Sequence, residues 1–308
     1  MNIADLYRER RPVLSFEVFP PKPDTPLESL YATIENLREL NPSFISVTYG
    51  AGGAQKGRTV EIASRIRHDF GLESMAHLTC VGHSRSEIRR ILEDLQARRI
   101  DNILALRGDP PQGQPDFDFS GGDFTRASEL IHFIRQSHSF CIGAACYPEG
   151  HRACPRIAQD WRNLKTKVDA GVDFLITQLF FDNRIFYHFL ESARGLGIAC
   201  PIIPGIMPIF NARQIKRIVS LCGASMPADL LIMMDEYEDR PEDLRRAGID
   251  YAVRQIRDLL DNGVEGIHLE PMNKPDLARE ILAGVGWPIR PARPPGPAPE
   301  AAGRSPSD

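Results

Sequence analysis

The chain has 308 residues, 42% of them hydrophobic and 25% charged, with a formal net charge of −4. That is ordinary globular composition, enough for one large domain or two ordinary ones, and it excludes a disordered or fibrous chain. The slight acidic excess argues against a basic nucleic-acid-binding surface. No window is apolar for the length of a membrane span, and MNIADLYRERRP lacks the apolar core of a signal peptide, so a cytosolic protein without membrane contact is expected. The six cysteines (Cys80, Cys141, Cys146, Cys154, Cys200 and Cys222) form no C-x-x-C pair and lack zinc-site spacing. Reduced thiols packed in a core, and no metal, are expected.

Strand-like runs alternate with amphipathic helical patterns along the chain. VLSFEVF (13–19) leads to a helix over LESLYATIENLREL (27–40), with Leu27, Leu30, Ile34 and Leu37 on one stripe. FISVTYG (44–50) and SMAHLTCVG (74–82) follow, then a helix over 86–99 with Ser86 as N-cap. NILALRG (102–108) and CIGAACYP (141–148) are the next strands, before a helix over 156–171 ending at Gly171. FLITQLFF (174–181) precedes a helix over 184–197 that ends at Gly197 in the same way. After PIIPGIMP (201–208) come about two helices, PADLLIMMDEYED (227–239) and a long one over 241–263 with Pro241 in its first turn. GIHLEP (266–271) is the last strand. From Pro288 the chain is rich in Pro, Ala and Gly, a composition that cannot bury enough surface to order itself, so a disordered tail is expected over 288–308.

The runs are short, apolar and rich in β-formers, as buried parallel strands are. Strict alternation predicts an α/β protein with a parallel sheet, and eight strands with helices can close into a (β/α)8 TIM barrel spanning 1–287, with an extra helical segment between strands seven and eight. The rival is an open doubly wound sheet. Against it, no G-x-G-x-x-G follows the first strand.

In a barrel the active site lies at the carboxyl ends of the strands. Here those ends carry Glu17, Thr48-Tyr49, His77 and Thr79, Arg107-Gly108-Asp109, Tyr147 with Glu149 and His151, Gln178 with Asp182, and Glu270 with Asn273. Alternation puts Leu14, Phe16 and Val18 on one face of the first strand and Ser15, Glu17 and Phe19 on the other. The apolar set suits the helix side, so Glu17 points inward. An inward carboxyl among apolar neighbours has a raised pKa, which suits a general acid; a structural Glu paired with a cation across the barrel is the equal alternative. Arg107-Gly108-Asp109 is either a salt-bridged turn or a ligand-facing pair, and His77 alone reads as a core histidine. The buried amide of Gln178 needs partners that a ligand can supply. GAGGAQKG (50–57) lacks the ending of a phosphate-binding Walker motif and reads as a glycine-rich βα loop.

Taken in order, SFEVFPPK, FISVTYGAGG, AHLTC, ILALRGDPP, AACYPEGH, NLKTKVDAG, DFLITQLFFD and PIIPGIMP resemble the methylenetetrahydrofolate reductase family over about residues 10–287. The resemblance implies a barrel that binds FAD without a Rossmann motif, takes hydride from NADH or NADPH, and reduces 5,10-methylenetetrahydrofolate to 5-methyltetrahydrofolate in a ping-pong cycle. It implies a place in one-carbon metabolism and methionine biosynthesis, and a homo-oligomer, dimer or tetramer. Glu17 matches the family's general acid, and Asp109 a carboxylate beside flavin and pterin. The FAD-binding positions carry over as Thr48, Tyr49, Ala51, His77, Arg107, Gly108, Asp109, Ala127, Tyr147, His151, Asp160, Asn163 and Lys167. Gln178 matches a contact to folate and nicotinamide, Gln214 a folate contact, and Lys274 the cation for the folate's glutamate tail.

The chain departs from the family around the last strand. Glu270-Pro271-Met272-Asn273-Lys274 stands where the family commonly has Tyr-Thr-Leu-Asn-Arg. Lys274 keeps the charge but loses bidentate pairing. The length suits the bacterial, single-domain kind, without inhibition by S-adenosylmethionine. The alternatives are a folate-reducing flavoprotein subunit fed by a partner protein, a pterin-binding methyltransferase barrel, and a non-catalytic binding barrel.

Overall fold

The structure, a computed structural model, describes residues 1–9, 12–22, 24–49, 56–110, 114 and 117–288. Ala51 and the rest of the glycine-rich stretch up to Gln55, and the predicted tail beyond Pro288, lie outside the described residues.

The apolar runs pair in parallel. β1 (Val13–Val18), β2 (Phe44–Val47), β3 (Glu73–Thr79), β4 (Asn102–Leu106), β5 (Cys141–Cys146) and β6 (Phe174–Thr177) lie side by side in chain order. The run over 201–208 is broken into β7 (Ile202–Ile203), which pairs with β6, and β8 (Gly205–Ile206), which pairs with β9 (Gly266–Leu269). β9 pairs with β1, so the sheet closes through Pro204. Proline has no N–H to give the ladder. The Gly205 N–H instead donates to Thr177 Oγ1 at 2.9 Å, and the Pro204 carbonyl accepts from His268 N at 3.0 Å. With β7 and β8 counted as one interrupted strand, this is the predicted eight-stranded barrel.

The helices are α1 (Ile3–Glu9), α2 (Glu28–Arg38), α3 (Lys56–His68), α4 (Arg85–Ala97), α5 (Ala127–Ser137), α6 (Ile157–Asp169), α7 (Asn183–Gly195), α8 (Ala212–Cys222), α9 (Ala228–Glu236), α10 (Pro241–Asp261) and α11 (Pro275–Val285). The extra segment between the seventh and eighth strands holds three helices, α8, α9 and α10, where the sequence suggests about two. The N-cap of α4 is Ser84, not Ser86. Ser84 and Glu87 satisfy each other's backbone N–H groups in a capping box, while Ser86 lies inside the helix.

Two apolar layers follow from the period of the strands. Leu14, Phe16 and Val18 of β1 face outward and pack with Leu30, Ile34 and Leu37 of α2. Val13, Phe44, Met75, Leu104, Cys141, Phe174 and Ile203 face the barrel axis near the strand starts. Gly143 leaves the space that Phe174 fills there; a Cβ at that position would collide with the Phe174 ring. α1, which the sequence reading did not anticipate, closes this end. Ile3, Leu6 and Tyr7 join the inner layer, and the Tyr7 and Phe174 rings lie 5.5 Å apart. The six cysteines are free thiols.

Candidate active site

Above the apolar floor the barrel axis turns polar. Register places Glu17 beside Ser46 and Ser15 beside His268, all four on inward-facing positions. His268 is 1% exposed, and its Nδ1 lies 2.8 Å from Ser15 Oγ. Its Nε2 sits 3.5 Å from both Ser46 Oγ and Glu17 Oε2. On the other side His77 Nε2 lies 3.4 Å from Glu17 Oε2 and forms no hydrogen bond.

Electrostatics follow from burial. Glu17 is 12% exposed, and among the described residues no Lys or Arg pairs with it. Burial pushes its pKa up to about 8, against the smaller opposing effect of a hydrogen bond from Ser46. Burial lowers His77 to about 3, helped by His268, and lowers His268 to about 4. At neutral pH both imidazoles are therefore uncharged, and neither supplies the cation that a structural ion pair requires. Of the two readings of Glu17, the proton-holding one fits.

Glu17 opens into a cleft of about 270 Å³, continuous with solvent. From the predicted set it gathers His77, Arg107, Gly108, Asp109, Tyr147, His151 and Gln178, and adds His268 and Glu270. Asp109 is exposed at its rim. Arg107 lies 4.4 Å over the Phe119 ring and donates from Nε to the Gly108 carbonyl, and among the described residues no ion pair joins it to Asp109. Gly108 has φ +92°, and a Cβ there would strike Val81 and Thr79; only glycine lets the chain turn so close to β3.

Other predicted residues sit beside the cleft. His151 packs edge-on against Tyr147 at 4.6 Å, and its backbone N–H donates to Asp160 at 2.9 Å. Lys167 donates from Nζ to the Ala145 carbonyl at 2.7 Å, and burial lowers its pKa. Three are apart from it: Tyr49, whose hydroxyl meets His83 Nε2 at 3.1 Å; Ala127, buried at the start of α5; and Asn163, exposed on α6. The Thr48 carbonyl accepts from Thr59 Oγ1 at 3.0 Å. Gln214 lines a separate small cavity with Phe210 and Met272, and exposed Lys274 holds Nζ 5.3 Å from the same Phe210 ring.

Ser15, Ser46 and His268 were missed by sequence reasoning. Their signal was present: Ser15 shares the face of Glu17, and a serine and a histidine interrupt the apolar runs FISV and GIHL. Asn273 is structural. Met272 and Asn273 both have positive φ, and the Asn273 amide bonds to both the N–H and the carbonyl of Phe19, tying the last strand's exit to the first's.

The fold and site together define a class: a (β/α)8 barrel with a largely buried carboxyl in a polar cleft at the carboxyl ends of its strands. Residues 2–286 match the family model described as methylenetetrahydrofolate reductase, and the chain belongs to that family. It is 38% identical to methylenetetrahydrofolate reductase (NADH) 1 of Arabidopsis thaliana over 92% of this chain and 50% of that protein. It is 35% identical to 5,10-methylenetetrahydrofolate reductase of Escherichia coli over 90% of this chain and 91% of that one. The chain thus spans half the length of the plant relatives and most of the bacterial ones. Among solved structures, an uncharacterized protein from Clostridium thermocellum that binds two copies of 5-methyl-5,6,7,8-tetrahydrofolic acid shares the fold, with a TM-score of 0.60 and 15% identity. No helix among the described residues is long and apolar enough to cross a membrane.

Proposed function

We propose that the chain reduces 5,10-methylenetetrahydrofolate to 5-methyltetrahydrofolate, using FAD and NADH or NADPH, with Glu17 as the general acid. The observation that supports this most is Glu17 itself: a carboxyl with a pKa pushed up to about 8, at the mouth of a barrel of this family. Such a group still carries its proton at neutral pH and has the driving force to give it away.

The residues present suit a flavin. His77, which lines the cleft, has in Nε2 a buried polar atom with no hydrogen-bond partner. FAD would be held by His77, Arg107, Gly108, Tyr147, His151, Asp160 and Lys167, with Arg107 and Lys167 for the pyrophosphate; Thr48, Tyr49, Ala51, Ala127 and Asn163 extend that set. Bound there, FAD supplies the hydride, taken from NADH or NADPH, for the folate methylene carbon.

Glu17 transfers its proton to N10 of the folate. The N10–methylene bond breaks and an N10–H bond forms. The methylene carbon stays on N5 as an iminium cation, which accepts hydride. Asp109 at the rim favours that cation and anchors the pterin amino group. The Gln178 amide orients substrate, and Gln214 and Lys274, both near Phe210, meet the folate's tail.

An anaerobic visible spectrum before and after adding 5-methyltetrahydrofolate tests the reading. Flavin bands that bleach support it, and a protein that stays colourless after reconstitution with FAD overturns it. Glu17→Gln is expected to keep FAD and its reduction by NADH, but to lose folate reduction by roughly 10²-fold or more. Wild-type folate rates in that variant would exclude Glu17 as the acid. Flavin that neither NADH nor NADPH reduces would favour a partner protein as electron donor.

A further inference from the structure

The exit of β5 does more than line the cleft. After Tyr147 the chain turns at Gly150, which has φ +84°, and the Gly150 N–H closes that turn on the Tyr147 carbonyl at 3.0 Å. The turn brings Glu149 and Arg152 to the end of α8. Arg152 donates from Nη1 to the Ser220 carbonyl at 2.7 Å. That carbonyl belongs to the last turn of α8, where helix carbonyls lack a partner within the helix and a cation suits the helix dipole. Glu149 accepts the Ser225 N–H on both carboxyl oxygens, at 3.0 and 2.9 Å, just past the terminating Gly223. Each of these contacts involves a charged side chain, which makes it stronger than a neutral hydrogen bond.

Elsewhere α8 meets the barrel through apolar contact. Ile215, Ile218 and Val219 pack with Leu179 and Met207. Such contact is non-directional and leaves the helix free to slide or turn on it. The two polar contacts at its end do not. Tyr147, Glu149, Gln178 and Cys222 line a small cavity between that end and the strand exits. Tyr147 and Gln178 line the main cleft as well, so the end of α8 backs two residues of the cleft wall. The other end of the helix, capped by Asn211, carries Gln214 beside Phe210.

We propose that Glu149 and Arg152 are positioning residues that clasp α8 to the β5 exit, so that Gln178 and Gln214 stand where the folate meets them. This rests on the function proposed above, in which those two amides contact the folate.

The clasp joins the two halves of that site. On its strand side is the turn with Tyr147 and His151, which serve the flavin. On its helix side is α8, which serves the folate. Without the clasp α8 keeps its own caps, Asn211 and Gly223, and its apolar face stays covered. The helix therefore remains folded but is no longer fixed in place. Folate binding should suffer, and flavin reduction should not.

The test is Glu149→Ala, with Glu149→Gln as its rescue and Arg152→Ala, at an exposed position, as a second variant. In anaerobic stopped-flow, flavin reduction by the nicotinamide donor is expected to keep its wild-type rate. The apparent Kd for the folate in the second half-reaction should rise roughly three- to tenfold at an unchanged limiting rate, the worth of one such hydrogen bond. Glu149→Gln keeps an acceptor oxygen for the Ser225 N–H and should recover most of that affinity. Arg152→Ala should weaken folate in the same direction. Hydrogen exchange of the full chain without folate, read by mass spectrometry, should be faster over 212–225 in Glu149→Ala and unmoved across the barrel strands. A wild-type folate Kd, or wild-type exchange over α8, overturns the clasp. So does a loss shared equally by FAD, the nicotinamide donor and folate, which marks a general structural role. If the wild type itself does not consume methylenetetrahydrofolate, the proposed function fails, and the exchange still decides whether Glu149 and Arg152 hold α8.

Discussion

Burial keeps Glu17 protonated in the folded chain up to about pH 8, whereas an unfolded chain releases that proton near the ordinary value of 4.5. Between those values the folded state binds more protons than the unfolded one. The contribution of Glu17 to stability is thus fully present below pH 4.5 and lost as pH rises through 8. Glu17→Gln is therefore expected to be more stable than the wild type at neutral pH. The gap in Tm should widen from pH 5 to 8 and then level, which thermal melts across that range would check. His77 and His268 act in the opposite direction. Their folded pKa values lie below the ordinary 6.5, so their contribution is lost as pH falls from 6.5 toward 3 to 4. At this scale the inward direction of Glu17 was legible, because a strand's period of two leaves one choice once the apolar face is known. Whether it meets a cation or only buried neutral neighbours was left open, because those neighbours, Ser46, His77 and His268, come from three other strands.

Elements were legible in kind and less so at their ends. The stripe over 27–40 forms α2, and Gly171 and Gly197 follow the ends of α6 and α7 with positive φ, as a C-terminal glycine does. The start of α4 was misread because Ser84 and Ser86 are equally good caps by type. Glu87 decides it, since only Ser84 stands three residues before a carboxylate that reaches back. Ser84→Ala should cost about 1 kcal/mol, measured by urea unfolding, with the flavin spectrum unchanged. The break at Pro204 shows the same limit: the residue forbids a ladder bond, but only the neighbouring Thr177 hydroxyl shows how the barrel closes despite it.

For the whole molecule, the two ends of the barrel do different work. The strand starts are mostly apolar, with Glu73 and Asn102 hydrogen-bonded among them, and are closed by α1, while the strand exits are polar and open. Tyr7 is fully buried against Phe174, at the end away from the cleft. Tyr7→Ala should destabilise the chain by about 3 kcal/mol in urea unfolding while leaving flavin binding intact. A larger loss of cofactor than of stability would contradict this separation. α1 carried a readable signal in Ile3, Leu6 and Tyr7, spaced as one helical face. A single turn or two with such a face has no stability by itself, and its partner is a barrel end that the local sequence cannot reveal.

By itself the sequence determined the class of fold, the inward face of β1 and the end of the barrel where polar residues collect. All three follow from short-range periodicity and from the order of strands and helices. The tertiary structure alone decided which of those polar residues share one cleft. It brought Glu17, His268 and Glu270 together from the two ends of the chain and set Gln214 and Lys274 apart beside Phe210. Closure of the ring pairs the first strand with the last, and burial inside that ring, which no local pattern encodes, is what holds the proton on Glu17.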